Sequence, residues 1–411
     1  MNTLTKIEKP LAIAMWDSSW LKRRYRGGGF EDWDRALDEL VDRGYNAVRI
    51  DCFPHLVARA PNGELQERYR DIPGQTPQTY GFALWGNPWT IYMEPRAGLL
   101  EFLEKCEQRG ILVGLSTWFK PTEDRRNAKI EGPDELIRVW DETLRFLDDA
   151  GRLGNILYVD VLNEYPMGHC MWWLHKMLDT MTQPEAEDGG FNAQQVQFVH
   201  DFIDRVLEGL KKKWPGLAFS VSQTYGWEWK ERYDEARDFG LFDFLDVHVW
   251  MCNNEAFEKG TGYYEQIGSH GQPDHLYSRE TSYGYTPAAS RLIPGDVHYE
   301  EVFQTLCSKW QANRAEYAKW MEKKISVIAE RGRRLGIPVG NTEGWGMVTW
   351  PEHPSLDWRI QKDAAEIAAA AGAREGYQFN CTSNFCHPQF LGMWEEIDWH
   401  KKMTQMIRKE A

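Results

Sequence analysis

Two glutamates of this 411-residue chain follow short apolar runs, where a fold can present a carboxylate for chemistry. Glu164 comes in the dipeptide Asn163-Glu164 after the run 155–162, and Glu343 comes just after the run 336–341. Two carboxyl groups on either side of a glycosidic bond can cleave it, because one protonates the leaving oxygen while the other acts on the opposite side. Such chemistry requires a fold that brings these two distant positions together.

Short β-rich runs alternate with longer helical patterns along the whole chain. Eight such runs lie at 11–16, 45–51, 111–117, 155–162, 217–222, 243–249, 336–341 and 376–381. Most are nearly continuous in apolar residues, which is typical of buried parallel strands. Amphipathic helical segments lie between them at 31–43, 133–149, 194–213 and 315–334. Eight repeats of strand and helix predict the α/β class and a closed (β/α)₈ TIM barrel, with a doubly wound sheet as the alternative.

The connections between these elements are asymmetric in length. Segments from a helix to the next strand are short, whereas those after the strands are long, with insertions at about 52–98 and 250–297. Long connections after the strands lie at the C-terminal mouth of a barrel, where active sites form. Since no repeat or Pro/Ser-rich linker is present, we expect residues 1–411 to form a single catalytic domain. Strands four and seven of such a barrel face each other, so Glu164 and Glu343 can point at one bond.

Asn-Glu after the fourth of eight strands, with a second glutamate after the seventh, resembles a known superfamily. This is clan A of the glycoside hydrolases, which includes many cellulases, mannanases and β-galactosidases, and within it the sequence is most similar to the cellulase-like proteins. The resemblance runs from Trp16 to about Cys381. It implies a glycosidase that retains anomeric configuration on a β-linked oligosaccharide or glycoside, with Glu164 as acid/base and Glu343 as nucleophile.

The resemblance also implies roles for three neighbouring residues. Asn163 would bind the sugar 2-hydroxyl, and Arg49, at the end of the second strand, would steady the nucleophile. His248, near the end of the sixth strand, would lie beside the nucleophile, although a buried core histidine is an equal alternative. The histidine usual near strand three of the clan is missing, because that strand ends in Ser-Thr-Trp with Trp118 last. The resemblance therefore does not predict which residues contact the sugar on that side.

The two glutamates need different charges to act in sequence. A retaining mechanism places the carboxyl groups roughly 5–5.5 Å apart, and two negative charges at that distance repel, so one group should stay protonated. Arg49 beside Glu343 would keep that group ionised and leave the proton on Glu164. Alternatively, Arg49 is a buried ion-pair partner of Asp160 or Asp51.

Aromatic residues supply a second set of candidates, since flat rings with a polar edge suit the faces of sugars. The chain has 20 tryptophans. Trp16 and Asp17 end the first strand and could bind a sugar face and a hydroxyl. Trp118 is a candidate contact after the third strand, and Trp345, two residues past the proposed nucleophile, is the aromatic most expected at a subsite. For other loop tryptophans we expect packing.

Composition excludes several classes of partner. The net charge of −14 predicts repulsion from nucleic acid and anionic membranes, so a carbohydrate substrate is the expected partner. The seven cysteines lack paired zinc-ligand spacing, even in the segment Cys381–His387, and predict reduced thiols, no metal and no cofactor. Neither a signal peptide nor a membrane span is visible, which favours a cytoplasmic protein. Nothing in the sequence indicates the oligomeric state.

Two other functions compete with the glycosidase. A carbohydrate-binding barrel that has lost catalysis is disfavoured, because both carboxylates are present. A metal-dependent barrel hydrolase would want histidine pairs at strands one, five and six, and only His248 fits.

Overall fold

Eight parallel strands lie at the positions that the apolar runs predict. The computed structural model describes residues 2–71, 85, 87, 91–166, 171–181, 191–224, 240–262, 299–348, 350, 352 and 354–409. The strands are β1 (Leu11–Asp17), β2 (Ala47–Asp51), β3 (Leu112–Ser116), β4 (Ile156–Asp160), β5 (Phe219–Ser220, continued by Ser222–Thr224), β6 (Leu245–Trp250), β7 (Val339–Asn341) and β8 (Phe379–Cys381).

These strands close into a ring. Each of β1 to β4 pairs in parallel with its neighbour along the chain, and β1 pairs with β8 through Leu11 opposite Phe379. The two parts of β5 pair with different neighbours: the first pairs with β4, and the continuation pairs with β6. β7 completes the circle between β6 and β8. The predicted (β/α)₈ barrel is confirmed, and the doubly wound alternative is wrong because β1 and β8 are joined.

Aromatic rings fill the barrel interior where glycines leave room. The rings of Tyr158 and Phe379, from β4 and β8, have centroids 5.6 Å apart, and Phe244 lies 4.7 Å from Tyr158. A Cβ on Gly340 of β7 would lie 2.1 Å from the Phe379 ring, and one on Gly114 of β3 would lie 2.3 Å from the Tyr158 ring. The interior is therefore a packed core that supports the site above it.

Helices surround the barrel. The longer ones are Trp33–Asp42, Pro95–Gln108, Pro133–Asp149, Ala193–Lys213, Tyr299–Leu335, Arg359–Glu375 and Ile397–Arg408, and the shorter ones are Ser19–Lys22, Pro54–Val57, Trp172–Thr180, Glu255–Thr261 and Leu391–Trp394. The predicted helical segment 315–334 is the C-terminal part of a helix of 37 residues. Glycines with positive φ follow three predicted helices, at Gly44, Gly151 and Gly336.

The predicted loop insertions contain regular structure. The insertion at 52–98 holds the helix Pro54–Val57 and an antiparallel pair, Tyr69–Arg70 with Tyr92–Met93, and the next helix begins at Pro95. Most of the insertion at 250–297 lies outside the described residues, apart from the segment that includes Glu255–Thr261.

The described cysteines agree with the expectation of reduced thiols. All six are free, and five of them are buried. Among the helices of the described ranges, none combines the length and apolar character that a membrane span requires.

Candidate active site

Glu164 and Glu343 meet at the C-terminal mouth of the barrel, just past β4 and β7. Glu164 has a φ of 50°, a left-handed conformation that is uncommon outside glycine and clusters at functional sites. Its backbone N–H donates to Ser222 Oγ at 2.9 Å. One carboxylate oxygen of each glutamate and a ring nitrogen of His248 lie within 4.8 Å of one another. This spacing suits a double displacement, whereas inversion needs carboxyl groups roughly 6.5–9.5 Å apart.

Arg49 of β2 connects Glu343 to the neighbouring strands. Its Nη1 donates to Glu343 Oε2 at 2.9 Å, and its Nη2 donates to Ser116 Oγ at 3.0 Å and to Asn163 Oδ1. Nη2 also lies 3.8 Å from Asp160 Oδ2, so Arg49 pairs with Asp160, one of the two aspartates that the sequence offered as its ion-pair partner. Burial lowers the pKa of Arg49, but Glu343 and Asp160 outweigh it and hold the pKa above its usual range. The guanidinium is a fixed cation beneath the site.

His248 of β6 is a second cation between the two glutamates. Its Nδ1 lies 2.9 Å from Glu164 Oε1 and 3.7 Å from Glu343 Oε2, and its Nε2 lies 3.7 Å from Asp246 Oδ1. Burial lowers the pKa of His248, but the carboxylates of Glu343 and Asp246 outweigh it and raise the pKa to about 10. The imidazolium therefore donates from Nδ1 to Glu164 at neutral pH. His248 thus contacts a candidate catalytic residue, unlike the buried core histidine that the sequence offered as an alternative.

The charge on Glu343 depends on these two cations. Only 2% of the residue is exposed, and this burial raises the pKa of its carboxyl group to about 7. His248 and Arg49 oppose the rise, and the Glu164 carboxylate adds to it. Arg49 thus lies beside Glu343, as the sequence predicted, but burial outweighs Arg49 and His248 together, so the pKa of Glu343 rises instead of staying low.

Asn163 presents a free donor next to the glutamates. Its Oδ1 accepts hydrogen bonds from Arg49 and, at 3.2 Å, from Ser222 Oγ. Its Nδ2 is buried and has no hydrogen-bond partner among the described residues. A buried amide without a partner is costly, so this nitrogen is suited to donate to a ligand oxygen.

Asp17 and Trp118 offer further polar atoms at the ends of β1 and β3. Asp17 Oδ2 accepts a hydrogen bond from Lys120 Nζ at 3.0 Å, whereas Oδ1 has no partner within the described part of the chain. Burial raises the pKa of Asp17, but Lys120 and Arg49 outweigh it and lower the pKa. Trp118 is half-buried, and its Nε1 also lacks a partner in the described ranges. An acceptor and a donor of this kind suit hydroxyl groups.

Trp16 lies in the core, contrary to its expected contact with a sugar. Its ring is 4.8 Å from Phe30 and 6.1 Å from Phe102, and its Nε1 donates to the Cys386 carbonyl at 2.9 Å. Successive side chains of a strand point to opposite faces, so Trp16 and Asp17 cannot both face the mouth.

Trp345 is also fully buried. Its Nε1 donates to the Cys381 carbonyl at 3.0 Å, and its backbone pairs in register with Trp250 of β6. The indole therefore leaves no exposed face for a sugar in this structure.

Sequence reasoning named Asp160 as a possible partner of Arg49 but missed the rest of a layer of buried polar residues beneath the site. Asp160 Oδ2 accepts hydrogen bonds from Ser116 at 2.7 Å and Ser222 at 2.9 Å, and Asp246 accepts from the Thr342 backbone at 3.0 Å. The signal that could have revealed them is an acidic residue inside an apolar run, on the same strand face as a candidate. Asp246, two positions before His248, fits that pattern.

Glu164, His248 and Glu343 could in principle hold a metal ion, but a neighbouring cation does not fit one. Arg49 already places a cation 2.9 Å from Glu343. In the segment Cys381–His387, both thiols already have hydrogen-bond partners. Cys386 Sγ lies 2.9 Å from Thr382 Oγ1, and Cys381 Sγ donates to Asn341 Oδ1 at 3.2 Å.

Comparison with known proteins agrees with this geometry. Residues 13–408 match a family described as "Sugar-binding cellulase-like". The crystal structure of a candidate glycoside hydrolase from Parabacteroides distasonis ATCC 8503 is 31% identical in sequence, with a TM-score of 0.77. The alignment covers 98% of this chain and 94% of that chain. The resemblance that the sequence suggested is confirmed at the level of the family.

Among structures of lower sequence identity, one with a TM-score of 0.50 shares the fold alone. An exo-β-1,4-mannosidase from Opitutaceae bacterium strain TAV5 is 10% identical, with a TM-score of 0.50, covering 100% of this chain and 61% of that one. An endo-β-1,4-mannanase from Thermotoga petrophila is 12% identical, with a TM-score of 0.48, covering 99% of this chain and 79% of that one. No curated protein matches the sequence.

Proposed function

Because the chain belongs to the cellulase-like family, we propose that it is a retaining glycosidase acting on a β-linked oligosaccharide or glycoside. Glu164 serves as acid/base and Glu343 as nucleophile. The observation that carries this proposal is the pair of carboxylates within 4.8 Å of each other, each contacting a different buried cation. Arg49 contacts Glu343, and His248 contacts Glu164.

In the first step Glu343 attacks the anomeric carbon, and the bond from that carbon to the leaving oxygen breaks. Glu164 gives its proton to the leaving oxygen, so the products are a free alcohol and a glycosyl ester on Glu343. The His248 imidazolium stabilises the Glu164 carboxylate that results. Asn163 donates from Nδ2 to the sugar 2-hydroxyl, a contact that strengthens as charge develops on the ring.

In the second step Glu164 takes a proton from water, and the water oxygen attacks the anomeric carbon. The ester bond breaks, Glu343 regains its carboxylate and Glu164 is protonated again. Two inversions give net retention. Arg49 and His248 favour the departing carboxylate, which is otherwise penalised by burial.

A sugar-binding barrel without catalysis is the second candidate, because the family description itself names sugar binding. Both carboxylates, with their cations in hydrogen-bond contact, argue for catalysis. A structure retained for binding alone needs no pair of glutamates at this spacing.

The direct test is a panel of 4-nitrophenyl α- and β-glycosides, with the anomer of the first product followed by proton NMR. We expect turnover of a β-glycoside with the β-anomer released first. Release of the α-anomer would contradict the double displacement, and binding of sugars without turnover would establish the binding protein.

A further inference from the structure

Asp246 of β6 contacts the residue that precedes the proposed nucleophile. Its Oδ1 accepts a hydrogen bond from the Thr342 backbone N–H at 3.0 Å, and its Oδ2 accepts one from the Thr342 hydroxyl at 2.5 Å. Both residues are buried. Hydrogen bonds from the backbone and from the side chain to one carboxylate fix both the position and the side-chain rotation of Thr342. The backbone that leads into Glu343 is therefore held from beneath the site.

The same aspartate lies on the opposite side of the His248 ring from the two glutamates. His248 Nε2 lies 3.7 Å from Asp246 Oδ1 and 3.4 Å from Thr342 Oγ1. His248 Nδ1 lies 2.9 Å from Glu164 Oε1 and 3.7 Å from Glu343 Oε2. Because the Thr342 hydroxyl donates to Asp246, an oxygen lone pair is left to accept from the Nε2–H. One ring nitrogen is thus held, and the other is directed at the glutamates.

Asp246 is ionised in these surroundings. Burial raises the pKa of its carboxyl group, but His248, Thr342 and Arg49 outweigh the burial and lower the pKa. The other titratable side chains that interact with its charge are Tyr158, Asp160, Tyr377 and Cys381. Burial raises the pKa of the two tyrosines and of the cysteine, so these three are neutral at neutral pH. The positive charge that balances Asp246 comes from His248 and Arg49.

The charges of the two glutamates change during a double displacement, whereas the charge of Asp246 does not. Glu164 is neutral before it protonates the leaving oxygen, and Glu343 is neutral while it carries the sugar as an ester. Three carboxyl groups of the described residues pair with His248, and Asp246 is the one that neither gains a proton nor forms a bond in the reaction. It supplies the anion that keeps the imidazolium charged while Glu343 is esterified.

We propose that Asp246 is a positioning residue for both glutamates of the site. It holds Glu343 in place through Thr342. It also keeps His248 charged and directed at Glu164 throughout the reaction. This inference rests on the proposed glycosidase function and adds to it a residue that acts through two others.

The charge of His248 can be measured without a substrate. Protein with histidine labelled with carbon-13 at Cε1 is titrated by NMR, and the His248 signal is the one that is missing from His248→Gln. In the wild type we expect the ring to keep its proton up to about pH 10. Asp246→Asn should lower this pKa by about one pH unit or more, because it removes an opposite charge from beside the ring.

Asp160→Asn is the matched control for this titration. Asp160 is as buried as Asp246 but pairs with Arg49 of β2, so its loss should lower the pKa of His248 by less than roughly half as much. An unchanged pKa in Asp246→Asn, or an equal fall in the two variants, would overturn the inference and leave the glycosidase in place. If Asp246→Asn does not fold, Thr342→Val replaces it. That variant removes the acceptor at Nε2 and should lower the pKa in the same direction.

Steady-state kinetics test the hold on Glu343. On a β-glycoside that the wild type hydrolyses, Thr342→Val should lower kcat by roughly tenfold and change KM by less than about twofold, because a fully buried threonine places the nucleophile without reaching the sugar. Thr342→Ser keeps the hydroxyl and should stay near wild type. Equal losses of kcat in the two variants would contradict the hold. If the wild type hydrolyses no glycoside, the glycosidase is wrong, and the NMR titration still decides whether Asp246 holds His248.

Discussion

At the scale of single residues, the site is a set of charges that depend on one another. Glu343 is buried against Arg49 and His248, and His248 in turn is kept protonated by Glu343 and Asp246. Removing one member therefore changes the protonation of the others. The pH dependence of catalysis is the property that reports this most directly.

The first prediction concerns the acid limb of activity. The pKa of Glu343 is raised to about 7, so the carboxylate of this proposed nucleophile is present above that pH and is lost as the pH falls through it. We expect kcat/KM to fall below about pH 7. His248→Gln removes a cation that lowers this pKa, so the limb should move to higher pH. A wild-type limb near the ordinary glutamate range, or one that stays in place in the variant, would contradict the account.

The second prediction concerns the unpartnered Nδ2 of Asn163. Asn163→Ala should lower kcat/KM by roughly a hundredfold on a substrate with a 2-hydroxyl, because the lost contact is strongest in the transition state. A 2-deoxy substrate is the control, and the variant should differ little from wild type on it. Equal losses on both substrates would assign Asn163 to support of Arg49 instead.

At the scale of elements, the sequence predicted what depends on local pattern. Apolar runs located all eight strands, because parallel strands buried on both faces leave no alternation to misread. The break in β5 at Val221 and the true start of the helix Tyr299–Leu335 were not predicted. Both depend on packing against neighbours. The face on which Trp16 points was also missed, since strand periodicity assigns alternate faces without saying which is inside.

The third prediction tests the packed interior of the barrel. Gly340→Ala should lower the free energy of unfolding by about 1–3 kcal/mol, because its Cβ meets the Phe379 ring, which is itself held by Tyr158 and Phe244. Gly216→Ala is the control, since a Cβ there has no heavy atom within 4 Å and should change the free energy by less than about 0.5 kcal/mol. Urea unfolding measures both, and equal stability of the two variants would show that the interior is loosely packed.

At the scale of the whole molecule, the site draws residues from nearly every strand. Counting strands was enough to pair Glu164 with Glu343, because ring closure fixes which strands face each other. The contacts of Asp160 with Ser116 and Ser222, and of Asp246 with Thr342, were not predictable from the sequence. Such contacts arise between segments distant in the chain, and no local pattern encodes them.

The fourth prediction concerns the C-terminal helix Ile397–Arg408, which packs on the start of the barrel. Met403 and Ile407 are buried, and Thr404 Oγ1 donates to the Arg43 carbonyl at 2.8 Å. Burial of each large apolar side chain contributes about 1.5–3 kcal/mol, against a total stability of about 5–15 kcal/mol. A chain ending at Glu396 should therefore lose its cooperative thermal transition, whereas one ending at Arg408 should keep it. A preserved transition in the shorter chain would show that the helix is dispensable.

Azide rescue distinguishes the proposed roles of Glu164 as acid/base and Glu343 as nucleophile. On an activated β-glycoside, Glu343→Ala should have almost no activity until azide is added, and should then form the α-glycosyl azide, because azide attacks once in place of the carboxylate. Glu164→Ala should still form the glycosyl ester, and azide should convert it to the β-glycosyl azide. The same azide anomer from both variants, or full activity of either without azide, would contradict the assignment.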